Sequence, residues 1–210
     1  MTSPSLTLYT NPQSRGRITR WMLEEVGQPY EVVTLAYGSG LKSPTYLALN
    51  PMGKVPALRH GEVIVTETAA ICAFLADAFP TAGLAPPPAS PLRGAYYRWL
   101  FFAAGPLEAA LSNKALGFVV PPEREVMMGY GRYDTAIDTL EGAVKAASPF
   151  LLGTQFSAAD VYVGSHVLFG LQFGTLDKRP AFVDYAARLS ARAAYQRANN
   201  LDNAMMAAKG

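Results

Sequence analysis

Residues 51–68 read Pro-Met-Gly-Lys-Val-Pro-Ala-Leu-Arg-His-Gly-Glu-Val-Ile-Val-Thr-Glu-Thr, and their types and spacing suit the capture of a short extended peptide. Proline has no amide hydrogen, and the bond before it can be cis. A cis Val55-Pro56 bond turns the Val55 amide and carbonyl outward, where they can pair with a peptide laid alongside like an added strand. After a hairpin of two short strands around His60-Gly61-Glu62, Glu67-Thr68 opens a helix. A hydroxyl and free backbone amides at a helix start receive a carboxylate, while the Glu67 side chain suits an ammonium group. The two together would hold a zwitterionic amino-acid head. The bland alternative for the same residues is an ordinary strand-turn-strand-helix with a capped start.

The elements that must position this motif are legible along the chain. Residues 6–10, Leu-Thr-Leu-Tyr-Thr, form a β-type run, and Asn11-Pro12-Gln13-Ser14 reads as a turn. Residues 14–26 have helical periodicity, with Ile18, Trp21, Met22 and Val26 on one side and Gly27 at the stop. Residues 30–34 are β-branched and aromatic, hence a second strand. Ser43-Pro44 opens a short helix that Asn50-Pro51 ends. The hairpin follows, then a helix over 67–79 with Ala70, Ile71, Phe74 and Leu75 inward. Five prolines in 80–91 read as a linker. Beyond it the segments 92–110, 123–147, 157–169 and 180–196 all read helical. The expected organisation is an α/β domain over 1–80, a linker over 81–91 and an all-α domain over 92–210.

Phe156-Ser157-Ala-Ala-Asp160 carries its own signal. Ser157 is an N-cap and Asp160 sits three positions on, so each side chain can bond the other's backbone amide. This pair is read as structural.

Composition narrows the function classes. Half of the 210 residues are hydrophobic and 16% are charged, enough for a sizeable core and against disorder. A net charge of +2 with scattered Lys and Arg gives no electrostatic case for nucleic acid. The single cysteine, Cys72, permits no intrachain disulfide and reads as a small buried hydrophobe. Met1-Thr2-Ser3-Pro4 runs straight into a strand pattern without a leader, and no apolar run approaches the ~20 residues of a membrane span. A soluble cytoplasmic protein is the expectation. His60 and His166 lack neighbours at metal-ligand spacing, so no metal site is proposed.

With these residues placed, the chain resembles the cytosolic glutathione S-transferases over nearly its whole length. The likeness is strongest at residues 8–15, at Val55-Pro56, at Glu67-Thr68 and at 157–160, and the 20–27 stretch fits the first helix of many bacterial members. The resemblance implies a thioredoxin-like first domain, an all-helical second domain, glutathione as cosubstrate, small hydrophobic electrophiles as second substrates, and a homodimer. It places Lys54, Val55, Pro56, Glu67 and Thr68 on glutathione, with Lys42 a weaker partner for its glycine carboxylate.

Chemistry in such a site needs a thiolate, and a free thiol with pKa ~8.5 is only slightly ionised at neutral pH. A hydroxyl aimed at the sulfur, beside a helix N-terminus, favours the charged form. Ser14 stands where the serine-type members keep that hydroxyl, although it can equally serve as a helix cap. Tyr9, at the end of the first strand, and the Asn11 amide are the rivals. Cysteine-type chemistry lacks its residue near position 14. Phe101, Phe102 and Pro106, with Pro12 and Gln13, are candidates to line the electrophile pocket. Conjugation, with peroxide reduction by the same thiolate, is the expected activity. A non-catalytic glutathione- or protein-binding module is the alternative.

Overall fold

Short runs of alternating apolar residues build a four-stranded mixed sheet in the computed structural model, which describes residues 5–208. The start read at Met1–Pro4 lies outside the described residues. β1 (Leu6–Thr10), β2 (Tyr30–Thr34), β3 (Ala57–His60) and β4 (Val63–Thr66) take the order β2-β1-β3-β4. β1 runs parallel to β2 and antiparallel to β3, and β3 runs antiparallel to β4. Strand period two sends Leu6 and Leu8 to one face, and Leu8 pairs with Val32 on one side and Leu58 on the other.

Two helices carry matching apolar stripes. α1 (Gly16–Val26) buries Ile18, Met22, Leu23 and Val26, and ends at Gly27, whose φ of 72° is left-handed. α3 (Thr68–Ala78) buries Ile71, Cys72 and Leu75. Each of these larger side chains contributes roughly 1.5–3 kcal/mol through burial. Ala70, expected inward, is exposed, while Thr68 and Ala76 are buried instead. Across the sheet, Leu41, Tyr46 and Ala57 gather Tyr9, Leu35, Leu49 and Val55 around the short α2 (Pro44–Leu47).

The domain boundaries differ from those read in the sequence. Contacts divide the chain into one unit of residues 1–84 with 191–210 and a second of residues 85–190. The helix expected over 180–196 is two: α8 (Pro180–Ser190) and α9 (Ala193–Ala207). Between them Arg192 is extended, with ψ 131°, and its guanidinium makes two 2.7 Å bonds to Glu25. α9 therefore packs along α1, and residues 191–208 belong with the sheet.

The second unit is helical. The stretch expected as one helix over 92–110 is α4 (Leu92–Phe102), a π-helical turn over Ala103–Leu107, and α5 (Glu108–Ala115). Pro106 has no amide hydrogen to donate, which breaks the regular ladder there. The helix expected over 123–147 begins only at Tyr133 (α6, Tyr133–Ala146), because a 3-10 turn over Pro122–Met127 and the left-handed Gly131 precede it. α7 (Ala158–Phe173) is buried along most of its length and opens on the Ser157–Asp160 capping box. The Asp160 carboxylate accepts from the Ser157 amide, the Leu151 amide and the Tyr185 hydroxyl at 3.0, 2.8 and 2.7 Å. Burial pushes its carboxyl above the ordinary value, and those donated bonds oppose the rise.

Candidate active site

The sheet register brings the predicted residues to one end of the sheet. Tyr9 pairs with Ala57, and Ala57 pairs with Thr66, so the end of β1, the start of β3 and the end of β4 form one row. The Asn11–Ser14 turn, the Val55–Pro56 pair and Glu67–Thr68 all leave that row. Two strand spacings separate β1 from β4, about 10 Å, which is the length of an extended three-residue peptide at ~3.3 Å per residue.

The central segment is held from behind. The Val55–Pro56 bond is cis. The Lys54 carbonyl accepts from the Tyr46 hydroxyl at 2.6 Å and from the Asn50 amide at 2.8 Å. Asn50 also receives the Met52 amide hydrogen at 3.1 Å. Gly53 is left-handed, and a Cβ there would meet the Leu41 carbonyl at 2.8 Å. With its neighbours so fixed, Val55 presents a backbone amide and carbonyl that have no partner among the described residues. The Lys54 side chain is exposed, and Lys42 donates to the Met52 carbonyl at 3.3 Å.

Glu67 is the one described non-glycine residue with positive φ, at φ 65°, ψ 116°. Such a conformation costs on the order of 1–3 kcal/mol and persists where its surroundings impose it. Its carboxylate is exposed and has no hydrogen-bond or ion-pair partner among the described residues. No side chain caps α3, so its first amides remain available beside the buried Thr68. A negative carboxylate and a positive helix end sit side by side, as a zwitterionic head group requires.

The three sulfur candidates occupy different environments. Ser14 precedes α1, and Arg15 takes the N-cap position. The Ser14 hydroxyl donates to the Asn11 carbonyl at 2.7 Å and accepts the Gly16 amide hydrogen at 2.9 Å. The cap alternative is thus partly realised, in the turn that enters the helix. Asn11 is buried; its amide donates to the Leu35 carbonyl at 2.8 Å, and its side-chain oxygen accepts the Gln13 amide at 2.9 Å. Tyr9 points to the opposite face from Leu8 and packs 6.0 Å from the Tyr46 ring. Gly16 is obligatory here, since a Cβ would collide with the Thr10 hydroxyl.

Three residues that hold the site were not singled out as site residues from sequence. Tyr46 and Asn50 support the Lys54 carbonyl, and Tyr37 donates to the Gln13 carbonyl at 3.0 Å. Asn50 read only as part of a helix stop, and an isolated tyrosine beside Gly38 gives no signal at all.

Residues 4–77 match the family model described as glutathione S-transferase, N-terminal domain. Glutathione S-transferase GST-4.5 of Xanthomonas campestris pv. campestris is 28% identical over 162 residues, covering 76% of this chain and 77% of that protein. A glutathione transferase structure from Methylococcus capsulatus is 28% identical, with a TM-score of 0.76 and coverage of 94% and 98%. The theta class enzyme of Xanthomonas axonopodis pv. citri, solved with glutathione bound, is 28% identical with a TM-score of 0.72, covering 93% and 97%.

Proposed function

The chain belongs to the glutathione S-transferases through residues 4–77, and from that premise we propose that it conjugates the glutathione thiolate to small hydrophobic electrophiles. The Val55 backbone pairs with the cysteinyl residue of glutathione, next to Pro56. Glu67 takes the γ-glutamyl ammonium, and Thr68 with the α3 amides takes the adjoining carboxylate. Lys54 neutralises the glycine carboxylate at the other end. The Ser14 hydroxyl swings from Asn11 to the sulfur. The thiolate forms the new carbon–sulfur bond, the leaving group departs with its electron pair, and the thiol proton goes to solvent.

The observation that carries this reading is the unpartnered Glu67 carboxylate, held at positive φ on an uncapped helix start. Calorimetry with glutathione, followed by turnover against an aryl halide and an organic hydroperoxide, tests it. Micromolar-to-millimolar binding with turnover of the halide supports it, and no binding contradicts it. Turnover of the hydroperoxide would add peroxidase activity to the same thiolate.

A second reading is favoured by one specific contact. The Ser14 hydroxyl already spends its single proton on Asn11. A binding module without turnover would keep that bond, and would bind glutathione while leaving both electrophiles untouched.

Cytoplasmic location, a role in detoxification and a homodimer complete the proposal. No helix of the described residues is long and apolar enough to cross a membrane. α4 exposes Leu92, Tyr97 and Phe101, apolar surface that a second copy would cover. Sedimentation at micromolar concentration should give twice the chain mass of 22.5 kDa; a monomer would remove the dimer.

A further inference from the structure

Three of the four carbonyls of the Asn11–Ser14 turn accept from side chains, and the fourth, that of Ser14, accepts the Arg17 amide hydrogen. Ser14 donates to that of Asn11, Tyr37 to that of Gln13, and Arg17 Nη1 to that of Pro12 at 3.2 Å. Arg17 is itself gripped from the far end of the chain. Its Nη2 donates to Asn199 Oδ1 at 2.9 Å and to Asn203 Oδ1 at 2.8 Å. Both asparagines lie on α9, one turn apart.

The grip is registered by a larger contact between the two helices. Arg17, Arg20, Trp21, Glu24 and Glu25 follow a helical stripe on α1. Arg20 Nε pairs with Asp202 at 2.9 Å, with both side chains at most 3% exposed. Trp21 meets Tyr195 edge-on at 4.9 Å. Glu24 and Glu25 pair with Arg197 and Arg192 at 3.0 and 2.7 Å. The helices run antiparallel, so the end of α9 lies at the start of α1. The buried Arg20–Asp202 pair fixes the rotation of α9 that puts Asn199 and Asn203 on Arg17.

We propose that Arg17 is a positioning residue through which α9, by Asn199 and Asn203, sets the turn that carries Ser14. The proposal rests on the conjugation reading for its chemical consequence. A planar guanidinium with donors on both forks bridges two acceptors and a carbonyl at once; a lysine ammonium cannot reproduce that geometry. If the turn relaxes, the hydroxyl is misplaced relative to the sulfur, and misplacements near 1 Å are costly in rate. The peptide contacts at Val55 and Glu67 lie on other segments and are untouched.

The test uses the full chain with Arg17→Met, Arg17→Lys, the double variant Asn199→Ala/Asn203→Ala, and Arg197→Ala. The last removes a pairing between the same two helices that does not reach the turn. Two readouts are taken: amide hydrogen exchange of residues 13–16 without glutathione, and the pH titration of the bound thiol with kcat and KM. We expect faster exchange at the turn, a bound-thiol pKa displaced upward and a kcat lowered by up to the about two- to thirtyfold that loss of the Ser14 hydroxyl itself would cost in Arg17→Met, Arg17→Lys and the double variant. The KM for glutathione should stay within about twofold, and Arg197→Ala should match the parent in all of these. Unchanged exchange and an unchanged titration in the Arg17 variants and in the asparagine pair overturn the proposal. A parent protein that forms no thiolate, while its turn still loosens in Arg17→Met, would sink the conjugation reading and keep the coupling. If Arg17→Met fails to fold, the asparagine pair alone decides.

Discussion

The Ser14 hydroxyl lies 2.7 Å from the Asn11 carbonyl and donates its proton there. To stabilise a thiolate it must exchange this neutral bond, worth about 1 kcal/mol net, for one to a charged sulfur worth about 1.5–3. The net gain is therefore about 0.5–2 kcal/mol. Ser14→Ala should lower kcat by about two- to thirtyfold, at 1.36 kcal/mol per decade, with little change in glutathione affinity. Stopped-flow or steady-state conjugation rates check this. A loss confined to Tyr9→Phe or Asn11→Ala would move the sulfur contact to that residue.

Glu67 should show opposite effects on stability and binding. Glu67→Gly relieves a positive φ that costs on the order of 1–3 kcal/mol, so the glutathione-free protein should unfold at equal or higher denaturant. The same change removes the ammonium partner and should weaken glutathione binding by ~1.5–3 kcal/mol. Glu67→Ala should lose the affinity without the gain. Denaturant melts and calorimetry on both variants separate the two effects.

Asp160→Asn should destabilise the helical unit by about 1–3 kcal/mol. Asparagine keeps one acceptor oxygen, so its NH2 would face either the Leu151 amide and Tyr185 hydroxyl or the Ser157 amide, leaving buried donors unpaired. The pH titration of bound glutathione should be unmoved, since the residue supports α7 and touches no substrate. A shifted titration would give this capping box a role in the chemistry.

Asp202→Ala should cost about 3–5 kcal/mol, because it strands the buried Arg20 guanidinium. Replacing both Arg20 and Asp202 with apolar residues of similar volume should recover much of that loss. Urea unfolding of the single and double variants measures it. An Asp202→Ala midpoint equal to the parent would show that α9 is not anchored by this pair.

Much of the sheet was legible because its signals are local. Leu6–Thr10 and Tyr30–Thr34 are strand-like in composition, and Asn50-Pro51 and Gly27 mark their neighbours' ends. The Glu67–Thr68 helix start could be read for the same reason, as a polar pair after a hairpin. What escaped depends on distant partners. α9 meets its neighbours through a mixed face, Asn199, Asp202 and Asn203 beside Ala194, Tyr195 and Ala198, so hydropathy gave no reason to detach it from the helices before it. Pro106 was visible, but the π turn that absorbs it depends on the surrounding ladder. Ser14 was located correctly at the helix entrance, yet its commitment to Asn11 follows from the fold of the turn, which no spacing reveals. Tyr37 and Tyr46 act through their hydroxyls on backbone carbonyls across the fold, and such contacts leave no mark in a sequence.

The account turns on whether glutathione sits in this site as a thiolate. The direct measurement is thiolate absorbance near the ultraviolet edge, recorded for the glutathione-bound protein across pH beside free glutathione. The account predicts binding, with a bound-thiol midpoint clearly below the free-thiol value near ~8.5 and a shift reduced in Ser14→Ala. A bound titration that coincides with free glutathione, or no binding at all, would contradict it.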